Sequence, residues 1–200
     1  MAVSGLRLST RTGALLAAFL AVATQSASAG PATITWGSDL SAAPDHALAA
    51  GVDTVYWSTR SAHVRVRAPR KGQVTMVTVR GSSVAGACAR LRCSARYERT
   101  ILFQDLRPAR GGRLRVVATS QPFELPATDA SYSFTPMNFF VKKGDYVGMA
   151  ILGGAFKVFA TVSGSSVGRF TGAGHDRNGA RVHGGSLGHT ELLLKVTERT

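Results

Sequence analysis

Three shortages in the sequence exclude whole classes of protein. After the first 29 residues no run of about 18 apolar residues occurs, which excludes a membrane-spanning helix in the remaining chain. The two cysteines are spaced as C-x4-C, so neither a four-cysteine zinc site nor a C-x-x-C redox pair is present. Internal repeats and long stretches of helical periodicity are absent as well, which excludes solenoids and helical bundles.

The first 29 residues are typical of a cleavable secretion signal. Two arginines precede an 11-residue apolar run from Gly13 to Ala23, and Ala27-Ser28-Ala29 forms a small-x-small cleavage site. The run is too short to cross a hydrocarbon core of about 30 Å. We therefore expect residues 1–29 to be removed, and residues 30–200 to be secreted to the extracellular space as a single domain.

Acidic residues are scarce in the expected mature chain. Residues 30–200 carry 22 Lys and Arg against 11 Asp and Glu, a net charge of +11. Two interpretations remain open: the charge serves solubility, or it serves affinity for polyanions such as wall phosphate polymers or acidic polysaccharide. No nucleic-acid-binding motif and no interleaving of basic with aromatic residues is present, so we expect no specific nucleic-acid partner.

Short apolar or alternating stretches, separated by Gly and Pro, predict an all-β protein. We expect about eight to ten strands, packed as an antiparallel β-sandwich or jelly roll. The first part, 30–52, is predicted to be an entry arm with one turn of helix, and the Gly-rich segment 164–188 to be a long loop. The strand-like stretches are 64–67, 73–79, 100–104, 113–119, 123–125, 139–141, 146–152, 156–162 and 191–196.

The two cysteines, Cys88 and Cys93, predict a disulfide bond. An even number of cysteines in an exported chain is typical of disulfide pairing. The bond would close a six-residue loop within the irregular segment 82–99, and we expect it at the tip of a hairpin.

Three blocks of sequence carry a resemblance to a family. They run from Leu106 to Pro126, from Pro136 to Val147, and from His189 to Leu194. They resemble a group of exported bacterial proteins without an assigned activity, which are predicted β-sandwiches broadly similar to carbohydrate-binding modules. The resemblance implies a β-sandwich from about residue 31 to the end of the chain, and it transfers no site residues.

One motif matches a catalytic signature. Gly164 to Gly168 fits the G-x-S-x-G elbow of serine hydrolases around Ser166, and Asp176 with His183 or His189 follows in the appropriate order. The elbow requires a helix after the serine, and the glycine-rich residues that follow do not favour one. We expect no catalytic residues, and a hydrolase with its site in loop 164–188 remains an alternative.

Potential metal ligands occur in a single group. His175, Asp176, His183 and His189 have the chemistry that zinc binds, but their spacing fits neither a helical nor a hairpin register. We therefore expect no metal and no cofactor.

Two arginine pairs and one tryptophan are the candidate binding residues. Arg65 with Arg67, and Arg113 with Arg115, alternate with apolar residues, so each pair is predicted to share one face of a strand. Such rows of guanidinium groups suit contacts to phosphate, sulfate or carboxylate. Trp57 is a candidate platform for a sugar ring, although at least one of Trp57 and its neighbour Tyr56 is expected to enter the core.

These features favour a secreted, non-catalytic protein that binds extracellular polysaccharide or an anionic cell-wall polymer. A structural or adhesive envelope protein is a further alternative to the hydrolase. The sequence leaves the oligomeric state open.

Overall fold

Antiparallel strands make up most of the computed structural model, which describes residues 30–50, 52–172, 174 and 177–200. The expected secretion signal, residues 1–29, lies outside the described residues. The described part contains 14 strands: β1 (Thr33–Gly37), β2 (His46–Ala50), β3 (Thr54–Arg60), β4 (Gly72–Ser83), β5 (Thr100–Pro108), β6 (Leu114–Thr119), β7 (Phe123–Glu124), β8 (Ala130–Phe134), β9 (Phe140–Val141), β10 (Tyr146–Ile151), β11 (Gly154–Thr171), β12 (Arg181–Val182), β13 (Gly185–Leu192) and β14 (Leu194–Arg199).

Helical structure is limited to three short pieces in the described residues. They are α1 (Ala87–Leu91) and two 3-10 helices, Ala95–Tyr97 and Arg110–Gly112. None of the described helices has the length and hydrophobicity needed to span a membrane.

All strand pairs are antiparallel, and they connect into one hydrogen-bonded network. Its main path runs in the order β1-β14-β4-β11-β3-β10-β5-β6-β12. Five further strands pair beside this path: β2 and β13 pair with β11, β7 pairs with β5, and β8 and β9 pair with β4. The all-β prediction is confirmed. The described residues hold more strands than the expected eight to ten: β1 and β2 lie in the predicted entry arm, β12 and parts of β11 and β13 lie in the predicted loop 164–188, and β8 was not predicted.

Two glycines of the segment 164–188, which is predicted to be a loop, lie where neighbouring atoms leave no room for a side chain. A Cβ atom on Gly168 would lie 2.3 Å from Cε2 of Trp57, and one on Gly184 would lie 1.7 Å from the carbonyl oxygen of Arg169. Glycine is therefore needed at both positions because a ring or a backbone passes very close, which is a recognised role of glycine in strands. β11 continues to Thr171 and pairs with β13 and β3.

Strand β3 separates two hydrophobic clusters. Tyr56 is fully buried in the larger cluster, together with Phe103 and Met149, whereas Val55 and Trp57 belong to the smaller cluster on the opposite face. Successive side chains of a strand point to opposite faces, which produces this division. The sequence predicted that at least one of Tyr56 and Trp57 enters the core, and both are buried.

The disulfide between Cys88 and Cys93 is present, as predicted. It links the first turn of α1 to the residue after the helix's C-cap, so it does not lie at a hairpin tip. Glu98 fastens this segment by accepting a 2.8 Å hydrogen bond from the Cys88 backbone N–H. The sulfur-bearing side chain of Cys93 packs over Gly153, where an added Cβ atom would be 2.9 Å away.

Candidate functional site: a basic groove

Three adjoining cavities line one part of the surface. The loop cavity has a volume of about 580 Å³ and lies along residues 59–69. The aromatic cavity has a volume of about 270 Å³ and lies against Trp57 and Tyr146. The arginine cavity has a volume of about 420 Å³ and is lined by Arg110, Arg113, Arg115 and Arg181. Arg67 lines the first two and Arg113 the last two, so they adjoin. Together we call them the basic groove, whose exposed cationic side chains are Arg60, Arg65, Arg67, Arg110, Arg113, Arg115, Lys143 and Arg181.

The loop cavity is built by an irregular segment between β3 and β4. The sequence predicted a strand at 64–67, but no strand occurs there, because this backbone makes single hydrogen bonds to separate parts of the chain and forms no continuous ladder with any one strand. Arg65 O accepts a 2.7 Å hydrogen bond from Gly37 N, and Ala68 N donates a 2.8 Å bond to Asp145 O. Arg65 and Arg67 are nevertheless both exposed, with half-buried Val66 between them, so the alternation in the sequence is real.

In the aromatic cavity the rings are already engaged by the protein. The Nε atom of Arg67 donates a 2.8 Å hydrogen bond to the Tyr146 hydroxyl, and its guanidinium carbon lies 4.7 Å from the centre of that ring. Trp57 is only 6% exposed, and the backbone at Gly168 covers one side of its indole. Little ring surface is left for stacking on a sugar, and what the cavity offers is charge.

The arginine cavity contains a feature that the sequence analysis missed. Arg115 on β6 lies directly opposite Arg181 on β12 and, on its other side, directly opposite Arg107 on β5. Three arginines thus stand in register across three neighbouring strands, at Cα separations of about 4.5–5.5 Å. Arg115 and Arg113 were predicted binding residues, whereas Arg107 and Arg181 join them only through pairing between distant segments.

Like charges placed directly opposite each other on a sheet are destabilising. The protein relieves this repulsion at one end of the row. Arg107 donates hydrogen bonds to both carboxylate oxygens of Asp145, at 2.9 to 3.3 Å, and its Nη2 atom lies 3.5 Å from Oδ2 of Asp105. The other two members of the row have no such partner: among the described residues no carboxylate lies within 4.0 Å of Arg115 or Arg181.

The other cationic side chains of the groove also lack a carboxylate partner among the described residues. Every ion pair between described residues involves side chains outside the eight groove cations. Burial, and then the neighbouring Asp145, raise the pKa of Asp105, which lies beside Arg107, to about 8, and this favours the neutral form of its carboxyl at pH 7. The groove is therefore a concentration of exposed positive charge that the described part of the chain does not neutralise.

The geometry at Ser166 does not resemble a catalytic elbow. Ser166 lies within β11, and the strand continues both before and after it, so no helix follows the serine. Its hydroxyl is 2.7 Å from the hydroxyl of Thr59. His183 and His189 are exposed, and His175 and Asp176 lie outside the described residues. Where the structure is described, no group of three or more His, Cys, Asp and Glu side chains is placed to hold a metal ion.

The chain matches no protein-family model, no curated protein and no solved structure in the comparisons made.

Proposed function

We propose that this protein is secreted and non-catalytic, and that it binds an anionic extracellular polymer, either a charged polysaccharide or a cell-wall polymer, along the basic groove. One observation carries the proposal: eight exposed cationic side chains line three adjoining cavities, and no described carboxylate pairs with any of them. Such a surface holds a layer of counterions, and their release on contact with a polyanion favours binding.

The proposal favours charge over ring stacking. Neutral glycans are held largely by exposed aromatic faces, whereas Trp57 is buried and Arg67 engages the ring of Tyr146. Arginine forks match the oxygens of phosphate, sulfate and carboxylate groups in a bidentate manner. A polymer that carries such groups at intervals would contact several cavities at once, and the linked contacts would strengthen one another.

We also propose that the strands form the two layers of a β-sandwich or jelly roll. One layer contains β1, β4, β8, β9 and β14, and the other contains β3, β5, β6, β10 and β12. In support, the larger hydrophobic cluster contains Val77 and Val196 from the first set and Phe103 and Met149 from the second. The resemblance to carbohydrate-binding modules agrees with this arrangement, and the N-terminal sequence and the disulfide support export.

The test compares a neutral polymer with charged ones, and dextran with dextran sulfate is the pair that shares one backbone. Protein purified after expression and export of the full chain is titrated with dextran, with dextran sulfate, with polygalacturonate and with polyphosphate at several salt concentrations. We expect binding to charged polymers, no binding to dextran, and a linear fall of log affinity with log salt. Binding to neutral dextran that survives high salt would overturn the proposal.

Variants separate the groove from the overall charge of the protein. Arg65→Gln/Arg67→Gln should lower the salt slope by about two, one for each lost contact. Arg90→Gln/Arg92→Gln is the matched control, because it also removes two charges and these exposed arginines line none of the three cavities. An equal loss in the control would mean that diffuse charge, and not the groove, binds the polymer.

A further inference from the structure

The arginine cavity combines two short backbone segments that aim four guanidinium groups at one space. Arg110 and Arg113 come from the turn between β5 and β6, where Gly111 and Gly112 adopt positive φ angles and Ala109 N donates a 2.8 Å hydrogen bond to Arg113 O. A positive φ is readily adopted by glycine, which lets this turn close tightly. The turn thereby places Arg110 and Arg113 together in the lining of the cavity.

The other two arginines come from a paired strand edge. Arg115 and Arg181 are directly opposite in the short pairing of β6 with β12. Backbone hydrogen bonds on either side of Val116 fix this register, one from Val116 N to Ala180 O at 2.9 Å and one from Gly179 N to Val116 O at 2.7 Å. The two side chains therefore leave the sheet on the same face, next to each other.

Arg107 differs from the four arginines of the cavity in having carboxylate partners. Arg107 belongs to the same cross-strand row, is two-thirds buried, and is held by Asp145. The four arginines of the cavity are exposed, and the described residues offer them no carboxylate within 4.0 Å. Their mutual repulsion is a cost that an anion from outside the protein would relieve.

The number of donors identifies the kind of anion. Each guanidinium carries five N–H donors, and one bidentate arginine already engages both oxygens of a carboxylate. A phosphate or sulfate monoester presents three terminal oxygens, which two or more guanidinium groups can contact together. The cavity's volume of about 420 Å³ leaves room for the polymer unit that bears the group.

We infer that the arginine cavity is a subsite for a tetrahedral oxyanion, a phosphate or sulfate group carried by the bound polymer, in preference to a carboxylate; this inference rests on the proposed function. It narrows the polymer to a phosphorylated or sulfated one. Uronic acid polymers would occupy the rest of the groove without filling this subsite.

Small anions test the subsite without any polymer. Inorganic phosphate, sulfate and acetate are titrated into the protein at constant ionic strength, and binding is followed by isothermal titration calorimetry. We expect saturable binding of phosphate and sulfate, at least about tenfold tighter than that of acetate. Equal or non-saturable binding of the three anions would overturn the inference.

Two variants locate the binding. Arg115→Gln and Arg181→Gln should each weaken phosphate and sulfate binding by about tenfold, while Arg90→Gln should leave it unchanged. Because these arginines are exposed, the variants should fold, and matching circular dichroism spectra would establish this. Phosphate binding that persists in both variants would contradict the inference.

Polymers distinguish this inference from the broader proposal. We expect polyphosphate or dextran sulfate to lose affinity in Arg181→Gln, and polygalacturonate to lose much less. Equal losses for all three polymers would overturn the oxyanion preference while leaving the polyanion groove intact. Phosphate binding without binding of any polymer would have the opposite meaning, a working subsite on a protein that does not bind polyanions.

Discussion

Asp105 and Asp145 place their carboxyl groups beside each other and share a single arginine. The Nη2 atom of Arg107 is 3.5 Å from Oδ2 of Asp105 and 2.9 Å from Oδ2 of Asp145. Asp105 is completely buried, and Lys142 is the further charged side chain that acts on it. Burial, and then the neighbouring carboxyl of Asp145, raise the pKa of Asp105 to about 8, which favours its neutral form at pH 7.

This pair predicts a decrease of stability with rising pH. The pKa of Asp105 rises from 3.8 to about 8 on folding, so the folded state holds a proton that the unfolded state releases. The corresponding stabilisation is fully present below about pH 3.8 and is lost as the pH rises toward 8. Asp105→Asn carries a neutral side chain at every pH and should lack this loss. Urea unfolding between pH 4.5 and 9 measures it.

The comparison isolates Asp105 from the other titrating groups. We expect the variant to gain stability relative to the parent protein as the pH rises. Asp129→Asn, which removes an exposed partner of Lys157, serves as the control and should change little with pH. Parallel curves for the parent and Asp105→Asn would show that the carboxyl of Asp105 titrates normally.

The contact of Gly168 with Trp57 predicts a strong steric effect. In Gly168→Ala the added methyl group would lie 2.3 Å from the buried indole, so the ring or strand β11 must move. Overpacking of this kind should lower the free energy of unfolding by at least about 2 kcal/mol. Gly188→Ala, on the neighbouring strand with no atom within 4 Å of the new Cβ, should change it by less than about 0.5 kcal/mol. Equal thermal midpoints for the two variants would refute the close contact.

The disulfide predicts a modest contribution to stability. Cys88 and Cys93 are five positions apart, so the bond closes a small loop and restricts the unfolded chain only slightly. Cys88→Ala/Cys93→Ala should lower the free energy of unfolding by about 2 kcal/mol. Chemical denaturation measures this value, and reduction of the parent protein should reproduce it. An equal free energy of unfolding for oxidised and reduced protein would show that opening this loop adds little conformational entropy to the unfolded chain.

The position of Ser166 predicts that its hydroxyl has no catalytic role. Ser166→Ala removes the contact with Thr59, which should reduce stability by about 1 kcal/mol and leave polymer binding intact. Polymer affinity and release of reducing sugar ends are measured on both proteins. A hydrolytic activity that disappears in folded Ser166→Ala would favour the hydrolase alternative instead.

The arginines of the arginine cavity could be predicted from the sequence only in part. Arg113 and Arg115 were predicted as candidates because alternation with Leu114 and Val116 is a local signal of one strand face. Arg181 lies in a glycine-rich segment, and only its pairing with Arg115 reveals its role. No local pattern encodes which of the many arginines in this chain share a cavity.

The sequence by itself determined the all-β class, the positions of most central strands and the disulfide, because alternation, Gly and Pro boundaries and cysteine spacing are local properties. The tertiary structure alone decided that glycines at 168 and 184 mark close packing and not a loop. It also decided that Trp57 is buried and that arginines from 65, 113 and 181 border one groove. Those outcomes depend on strand register and on contacts between distant segments, which form only when the whole chain is folded.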